Sequence, residues 1–446
     1  MTNDREVSPA QRNLWILDRL HPGTAAYTVP LFYRIHGDLD VGALERSLND
    51  VVRRHDVLHT VYRVRSGALR QSVRPAEPLR IAVLDVSGHE DPPVEARRLA
   101  TEECRRPFDL ASGPMLRGLL LRSAPDRYLL CLSLHHIVCD GWSLQVLENE
   151  LSACYRSWHA GVPPELPPLT EQYADFAEWQ TSRLTDPSLR PALEYWRKRL
   201  AGVPSPTPLP ADRPRPPVWS FAGGHVRFGI EAPVAERIGL LARACRATPF
   251  AVLLAAYAAL NQMRSGDAAA VIGTPLTGRQ HESHYRMIGM FANTVVHRVD
   301  LSGAPTFREL VHRARDESRN AMAHRAVPFE SLVEELNPVR DPGYNPLFQL
   351  MLGYQEVEED GLVLPECRIA REFGDTGTAK VDLSLSISRD KKSYSGRLEY
   401  SSDLYEAATA RSMTDQFRTI LATATADPTI GIDALGHDPG HATRNS

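Results

Sequence analysis

No stretch of this sequence approaches the roughly 20 consecutive apolar residues that a membrane-spanning helix requires, and the opening MTNDREVSPAQ contains no apolar signal core. The chain is therefore expected to be cytoplasmic and to make no membrane contact. Neither charge sign dominates: 51 Lys and Arg against 55 Asp and Glu leave a net charge of -4, too balanced for the field that non-specific nucleic-acid binding needs. An acidic partner would have to use a local basic patch. Cysteine is sparse. Cys104, Cys131, Cys139, Cys154, Cys245 and Cys367 form no CxxC pair and no metal-type spacing, so reduced thiols and no metal site are expected. There is no GxSxG, which disfavours a serine hydrolase, and no solenoid repeat.

What remains is a chain of 446 residues, 43% hydrophobic and 24% charged, with enough apolar material for two cores. Amphipathic helices alternate with strand-like apolar runs, which predicts a mixed α/β class. In DVGALERSLNDVVRR from Asp40, residues Val41, Leu44, Leu48, Val51 and Val52 recur at helical spacing. Tyr128 to Leu134 is an apolar run ending in a polar cluster, the pattern of a buried strand entering a loop. A helical stripe follows from Leu144 to Trp158, with Ser143 as its N-cap and Gly161 as its stop.

Two proline-rich breaks, VPPELPPLT from Val162 and PSPTPLPADRPRPP from Pro204, bracket the passage between two lobes. The second half predicts helices over Pro233–Thr248, Phe250–Met263 and Phe307–His324, with a strand end at Ala270–Gly273. VDLSLSISRD and SYSGRLEYSS alternate at period two as a sheet pair, and a last helix runs from Tyr405 to Ala424.

The segment LSLHHIVCDGWS, Leu132 to Ser143, carries the chemistry. Successive side chains on a strand point to opposite faces, so His135 and His136 cannot both act on one atom, and they make a poor metal pair. One can brace the loop while the other faces a cavity. Asp140-Gly141 then turns the chain toward the helix.

HHIVCDG resembles the HHxxxDG motif of the condensation domains of nonribosomal peptide synthetases, members of the chloramphenicol acetyltransferase-like superfamily. Other family motifs appear in order: SPAQRNLWIL from Ser8, RHDVLHTVY from Arg54, YADFAEWQ from Tyr173, IGMFANTVVHR from Ile288, HRAVPFE from His324 and RDPGYNPLFQ from Arg340. The resemblance covers almost the whole chain. It implies two acetyltransferase-like lobes forming a V-shaped pseudo-dimer, residues 1–180 carrying HHIVCDG and residues 181–446, with the active site in a tunnel at their junction.

The resemblance further implies a donor peptidyl or acyl carrier protein, and as acceptor a second carrier protein or a free small molecule. Their phosphopantetheine arms enter as part of the substrates, and the enzyme binds no cofactor of its own. His136 occupies the family's catalytic position, as general base or positioning group. An imidazole of pKa near ~6.5 is largely neutral at pH 7 and can accept an ammonium proton. His135 is expected to be a buried hydrogen-bonding residue. Asp140 has a structural role in the family, in an ion pair whose partner here is Arg279. Gly141 lets the backbone turn and can present an N–H to the reacting group.

Trp142 and Ser143 are candidates for the tunnel wall, Ser143 equally for a helix cap. Asn293 is a candidate either for that wall or for a loop Asn that satisfies backbone groups. His59 departs from the usual Arg, and Arg325-Ala326 from a Gln-Asp pair. The paired aspartates of heterocyclising relatives are missing, and HHxxxDG is intact, unlike in degraded recruitment modules. SPAQRNLW resembles enzymes that accept an L-configured or achiral donor. The start at Met1 and the polar tail GHDPGHATRNS suggest a free-standing enzyme that joins a carrier-bound acyl thioester to an amine. Ester formation on a hydroxyl, and a non-catalytic docking module, are the alternatives.

Overall fold

The amphipathic and alternating stretches fold largely as their periodicity predicts. The computed structural model describes residues 4–203, 209–356, 361–390 and 392–435. Strand β1 (Asp4–Glu6), helix α1 (Pro9–Leu20), β2 (Thr28–Gly37) and α2 (Val41–Arg54) come first, then β3 (Thr60–Arg65), β4 (Ala68–Val73) and β5 (Ala82–Asp85). Helix α3 (Pro92–Arg105) precedes the hairpin of β6 (Leu116–Ala124) and β7 (Arg127–His135), and α4 (Gly141–His159) and α5 (Tyr173–Arg183) follow. Next come α6 (Arg190–Arg199), β8 (Gly223–Ile230), α7 (Ala232–Ala244), α8 (Pro249–Ser265), β9 (Ala269–Leu276) and β10 (Asn293–Asp300). The chain continues through α9 (Phe307–Ala323), α10 (Phe329–Leu336), β11 (Leu350–Glu356), β12 (Cys367–Glu372), β13 (Leu383–Arg389), β14 (Tyr394–Ser401) and α11 (Ala407–Ala426).

Local causes are visible at most ends. Asp40 caps α2 by accepting the Ala43 N–H at 2.8 Å, and the stripe of Leu44, Leu48 and Val51 is fully buried. Strand β7 is a continuous apolar run because both of its faces are covered: Leu130, Leu132 and Leu134 enter one core, Leu129 and Cys131 another. Helix α8 is apolar all round, is capped by Thr248 and stops at Gly266, whose φ of 75° is left-handed. No single helix among the described residues is long and apolar enough to cross a bilayer. Helices α7 and α8 would pass that test only together, and they are bent by 105°.

One local expectation is corrected. Ser143 does not cap α4; it is the third helical residue, and Asp140 is the cap, accepting the Ser143 N–H at 2.8 Å. Of the second proline-rich break, Pro204 to Pro208 lie outside the described residues, as does the polar tail from Gly436; Leu209 to Pro217 form neither helix nor strand.

The chain divides into two compact units: Met1–Pro187 with Thr277–Asn293 and Glu358–Thr376, and Ser188–Leu276 with Thr294–Val357 and Gly377–Ser446. The first holds a five-stranded sheet in the order β12-β2-β7-β6-β5 and a three-stranded sheet β1-β4-β3. The second holds a six-stranded sheet, β10-β9-β11-β13-β14-β8, in which β13 and β14 pair antiparallel as their alternation predicts.

Continuous lobes divided at residue 180 differ from this arrangement, because two later segments fold with the first unit. Strand β12 pairs antiparallel with β2, from Cys367 opposite Gly37 to Glu372 opposite Phe32. Met287, Ile288 and Phe291 join the core built from β2, α2, β7 and α4. Pairing with such distant residues leaves no local mark in the sequence.

Candidate active site

Strand β7 delivers two histidines into different surroundings. His135, its last residue, is 5% exposed; its Nδ1 accepts the Ile137 N–H at 3.1 Å, and its ring stands edge-on to Phe108. His136 opens a single 3-10 turn, His136–Val138, and its own N–H is held by the Tyr27 carbonyl at 2.8 Å. Its half-buried ring places Nδ1 2.7 Å from the Cys139 carbonyl oxygen. A carbonyl only accepts, so Nδ1 carries the proton and the lone pair of the neutral ring resides on Nε2. The reverse holds for His135, whose Nδ1 is the acceptor. Two adjacent imidazoles are thus fixed by backbone groups in opposite tautomers, and only His136 is partly open.

The Cys139 carbonyl belongs to the peptide that enters Asp140, and Asp140 is immobilised. Its Oδ1 accepts from the Ser143 N–H at 2.8 Å and from Arg279 Nη2 at 2.9 Å, while its Oδ2 accepts the Phe291 N–H at 3.2 Å. The Asp140 and Arg279 side chains are 3% and 0% exposed. Arg279 also donates to the His284 carbonyl and, at 2.9 Å, to the Met287 carbonyl, and its guanidinium lies 3.9 Å over the Phe291 ring. Burial pulls the Arg279 pKa below the usual guanidinium range, and the charge of Asp140 opposes that shift. Both carboxylate oxygens of Asp140 are thus committed to donors.

A segment without regular structure, Met287 to Phe291, is splinted by side chains at each residue. The Met287 carbonyl takes Arg279, the Ile288 N–H goes to His55 Nδ1 at 3.3 Å, and the Gly289 N–H goes to Ser143 Oγ at 3.0 Å. Tyr173 donates to the Met290 carbonyl at 2.7 Å, and the Phe291 N–H reaches Asp140. Glycine is required at 289, where a Cβ would lie 2.0 Å from Tyr173 Cδ2.

The remaining motif residues belong to the same network. Ser8 and Gln11 form the capping box of α1, and the Gln11 amide donates to Tyr62 OH at 2.9 Å and to the Ile137 carbonyl at 3.4 Å. Ser8 Oγ lies 2.9 Å from Tyr173 OH. Glu150, which no motif singled out, meets His55 Nε2 at 2.8 Å and Arg54 Nε at 2.9 Å. Ser8, Gln11, Arg54, His55, Tyr62 and Tyr173 all lie within the motif segments, whereas Glu150 carried no such signal.

The other candidates fall as follows. Gly141 is the first residue of α4; its φ is not left-handed, and a Cβ there would meet nothing within 4 Å, so neither the turn nor packing demands glycine. That corrects the expectation that it eases the turn. Trp142 is 36% exposed, donates from Nε1 to the Tyr285 carbonyl at 2.9 Å and stands edge-on to the Tyr285 ring. Ser143 is 1% exposed, and its hydroxyl is engaged by Asp140, Arg279 and Gly289, so it does not line a substrate passage. Asn293 begins β10 and is half-buried. Among the described residues no three His, Cys, Asp or Glu side chains converge as a metal site would require.

Fold and site together define a mixed α/β protein of the chloramphenicol acetyltransferase-like superfamily, with a partly open imidazole at a strand-to-helix turn. The family model described as Condensation domain matches residues 1–437, and the chain belongs to that family. Phosphinothricin tripeptide synthetase PhsB of Streptomyces viridochromogenes is 41% identical over 419 residues, covering 93% of this chain and 35% of that protein. Chondramide synthase cmdD of Chondromyces crocatus is 38% identical over 426 residues, 95% of this chain and 11% of the other. The chain thus spans about a third or less of the length of these relatives.

Among solved structures, the X-domain from teicoplanin biosynthesis matches with a TM-score of 0.89 at 29% identity, covering 98% of both chains. SgcC5 of Streptomyces globisporus matches with a TM-score of 0.79 at 25% identity, over 96% of this chain and 100% of that one. The chain is accordingly a condensation domain of the nonribosomal peptide synthetase type, a class of acyltransferases in natural-product assembly.

Proposed function

We propose that this chain transfers an acyl or aminoacyl group from the phosphopantetheine thioester of a donor carrier protein to an amine, with His136 as general base or positioning group. The observation that carries the proposal is the 2.7 Å bond from His136 Nδ1 to the Cys139 carbonyl, which puts the basic lone pair on Nε2. The attacking nitrogen forms its bond to the thioester carbonyl carbon and yields a proton to Nε2. The C–S bond then breaks, and the departing pantetheine sulfur takes up that proton. A thioester is already activated, so the chemistry calls for no cofactor on the enzyme. Holding the two reactants together can lower the barrier by ~7 to 11 kcal/mol, and a positioned base contributes about 10²- to 10⁴-fold.

An alcohol acceptor, giving an ester, is the second possibility; SgcC5 was solved in complex with a naphthyl ethanediol. A docking role is the third, since the teicoplanin X-domain was solved in complex with OxyB. To separate them, the protein is incubated with an acylated donor carrier and a panel of amines and alcohols, free or carrier-bound, and the products are read by mass spectrometry. Amide product is expected. Ester without amide would replace the amine, and no transfer to any acceptor would leave the docking role.

A further inference from the structure

We infer that His55 and Glu150 form a positioning dyad that holds His136 in its working geometry through the Met287 to Phe291 segment. The inference rests on the acyl-transfer function proposed above. His55 ends α2 and is 1% exposed; Glu150, on α4, has a side chain 12% exposed. The Ile288 N–H donates to His55 Nδ1, so this nitrogen is bare and the ring proton resides on Nε2, where Glu150 Oε2 accepts it at 2.8 Å. Glu150 therefore selects the one tautomer of His55 that can receive Ile288. With the opposite tautomer, two N–H groups would face each other inside the core with no acceptor between them.

The consequence reaches the catalytic loop through a short chain of hydrogen bonds. Ile288 is followed by Gly289, whose N–H and carbonyl both meet Ser143 Oγ, at 3.0 and 2.8 Å. Ser143 binds Asp140, and Asp140 fixes the peptide whose Cys139 carbonyl holds His136 Nδ1. Arg279 grips the same segment at Met287 and the same carboxylate at Asp140. His55 and Glu150 touch no reacting atom in this scheme. Glu150 is also anchored by Arg54 at 2.9 Å, which gives its carboxylate a fixed orientation.

The test uses four single variants of the full chain, His55→Leu, His55→Asn, Glu150→Leu and Glu150→Gln, and one double variant. His55→Leu and Glu150→Leu should lower kcat by about 10- to 100-fold, the usual scale for a misplaced catalytic group, with acceptor KM within about twofold. His55→Asn should recover most of the rate, because its Oδ1 takes the place of Nδ1 as acceptor for Ile288. Glu150→Gln should also stay near wild type, since its amide oxygen still accepts the Nε2 proton. The double variant His55→Leu/Glu150→Leu should be no slower than either single one.

A readout independent of turnover is nitrogen-15 NMR of the imidazoles, which identifies the protonated ring nitrogen. His136 should carry its proton on Nδ1 in the wild type and lose that preference in the Leu variants. Wild-type kcat in both Leu variants, equal loss in Leu and Asn at position 55, or an unchanged His136 signature in Glu150→Leu would overturn the dyad. Should wild-type protein transfer to no acceptor, the acyl-transfer proposal fails, while the NMR comparison still decides the positioning role. If His55→Leu does not fold, Glu150→Leu carries the test, because it leaves the imidazole in place.

Discussion

His136 combines partial exposure with a fixed tautomer, and no other imidazole in the HHIVCDG segment does. Replacement by Ala is expected to reduce kcat/KM by about 10²- to 10⁴-fold while leaving thermal unfolding nearly unchanged, since a half-buried ring adds little packing. Steady-state transfer assays beside melting curves check both halves, and near wild-type turnover would remove His136 from the mechanism. Gly141 makes a second prediction. Its Cβ position is open and its backbone is ordinary helix, so Gly141→Ala should keep or slightly raise the melting temperature. Slowed transfer in the same variant would assign the open space beside the histidine turn to substrate, and that is the expected outcome.

At the scale of elements, the strands and helices stand on local causes, whereas the Met287 to Phe291 segment stands on borrowed side chains. Strand β10 carries a different liability. His297 is 1% exposed within it, and among the described residues neither ring nitrogen has a hydrogen-bond partner. Burial pushes its pKa down from 6.5 to about 4. The unfolded chain therefore binds a proton that the folded chain refuses between those two values, and stability falls as pH drops from about 6.5 toward about 4. The slope from this one residue is ~1.4 kcal/mol per pH unit. His297→Phe should flatten the acid side of a plot of unfolding free energy, from denaturant titrations, against pH by about that amount, and an unchanged slope would show that the ring is already protonated or hydrated in the native state.

At the scale of the molecule, the first unit is discontinuous in sequence. Residues 1–187 alone would lack β12, Arg279 and the core residues Met287, Ile288, Phe291, Leu362 and Leu364. Asp140 would then be left buried without its cation, a loss of about 3 to 5 kcal/mol before any apolar term, comparable with the whole stability of many domains. The isolated 1–187 fragment should show no cooperative thermal transition by circular dichroism. A sharp transition close to that of the full chain would mean that the later segments are dispensable.

Most elements and the chemistry-bearing turn are legible in the linear chain alone. The stripe through Leu44, Leu48 and Val51, the two-sided apolar run of β7, and the alternation in β13 and β14 are local patterns of period 3.6 or 2, so each could be read in place. The resemblance of HHIVCDG singled out His136 in the same way. The Asp140 cap of α4 is equally local, whereas three-dimensional contacts bury Ser143 in the Asp140–Arg279 cluster and bring His55 and Glu150 together. Burial and ion pairing, like the tautomer of His55, depend on which atoms of distant segments meet, and a linear pattern carries no record of that.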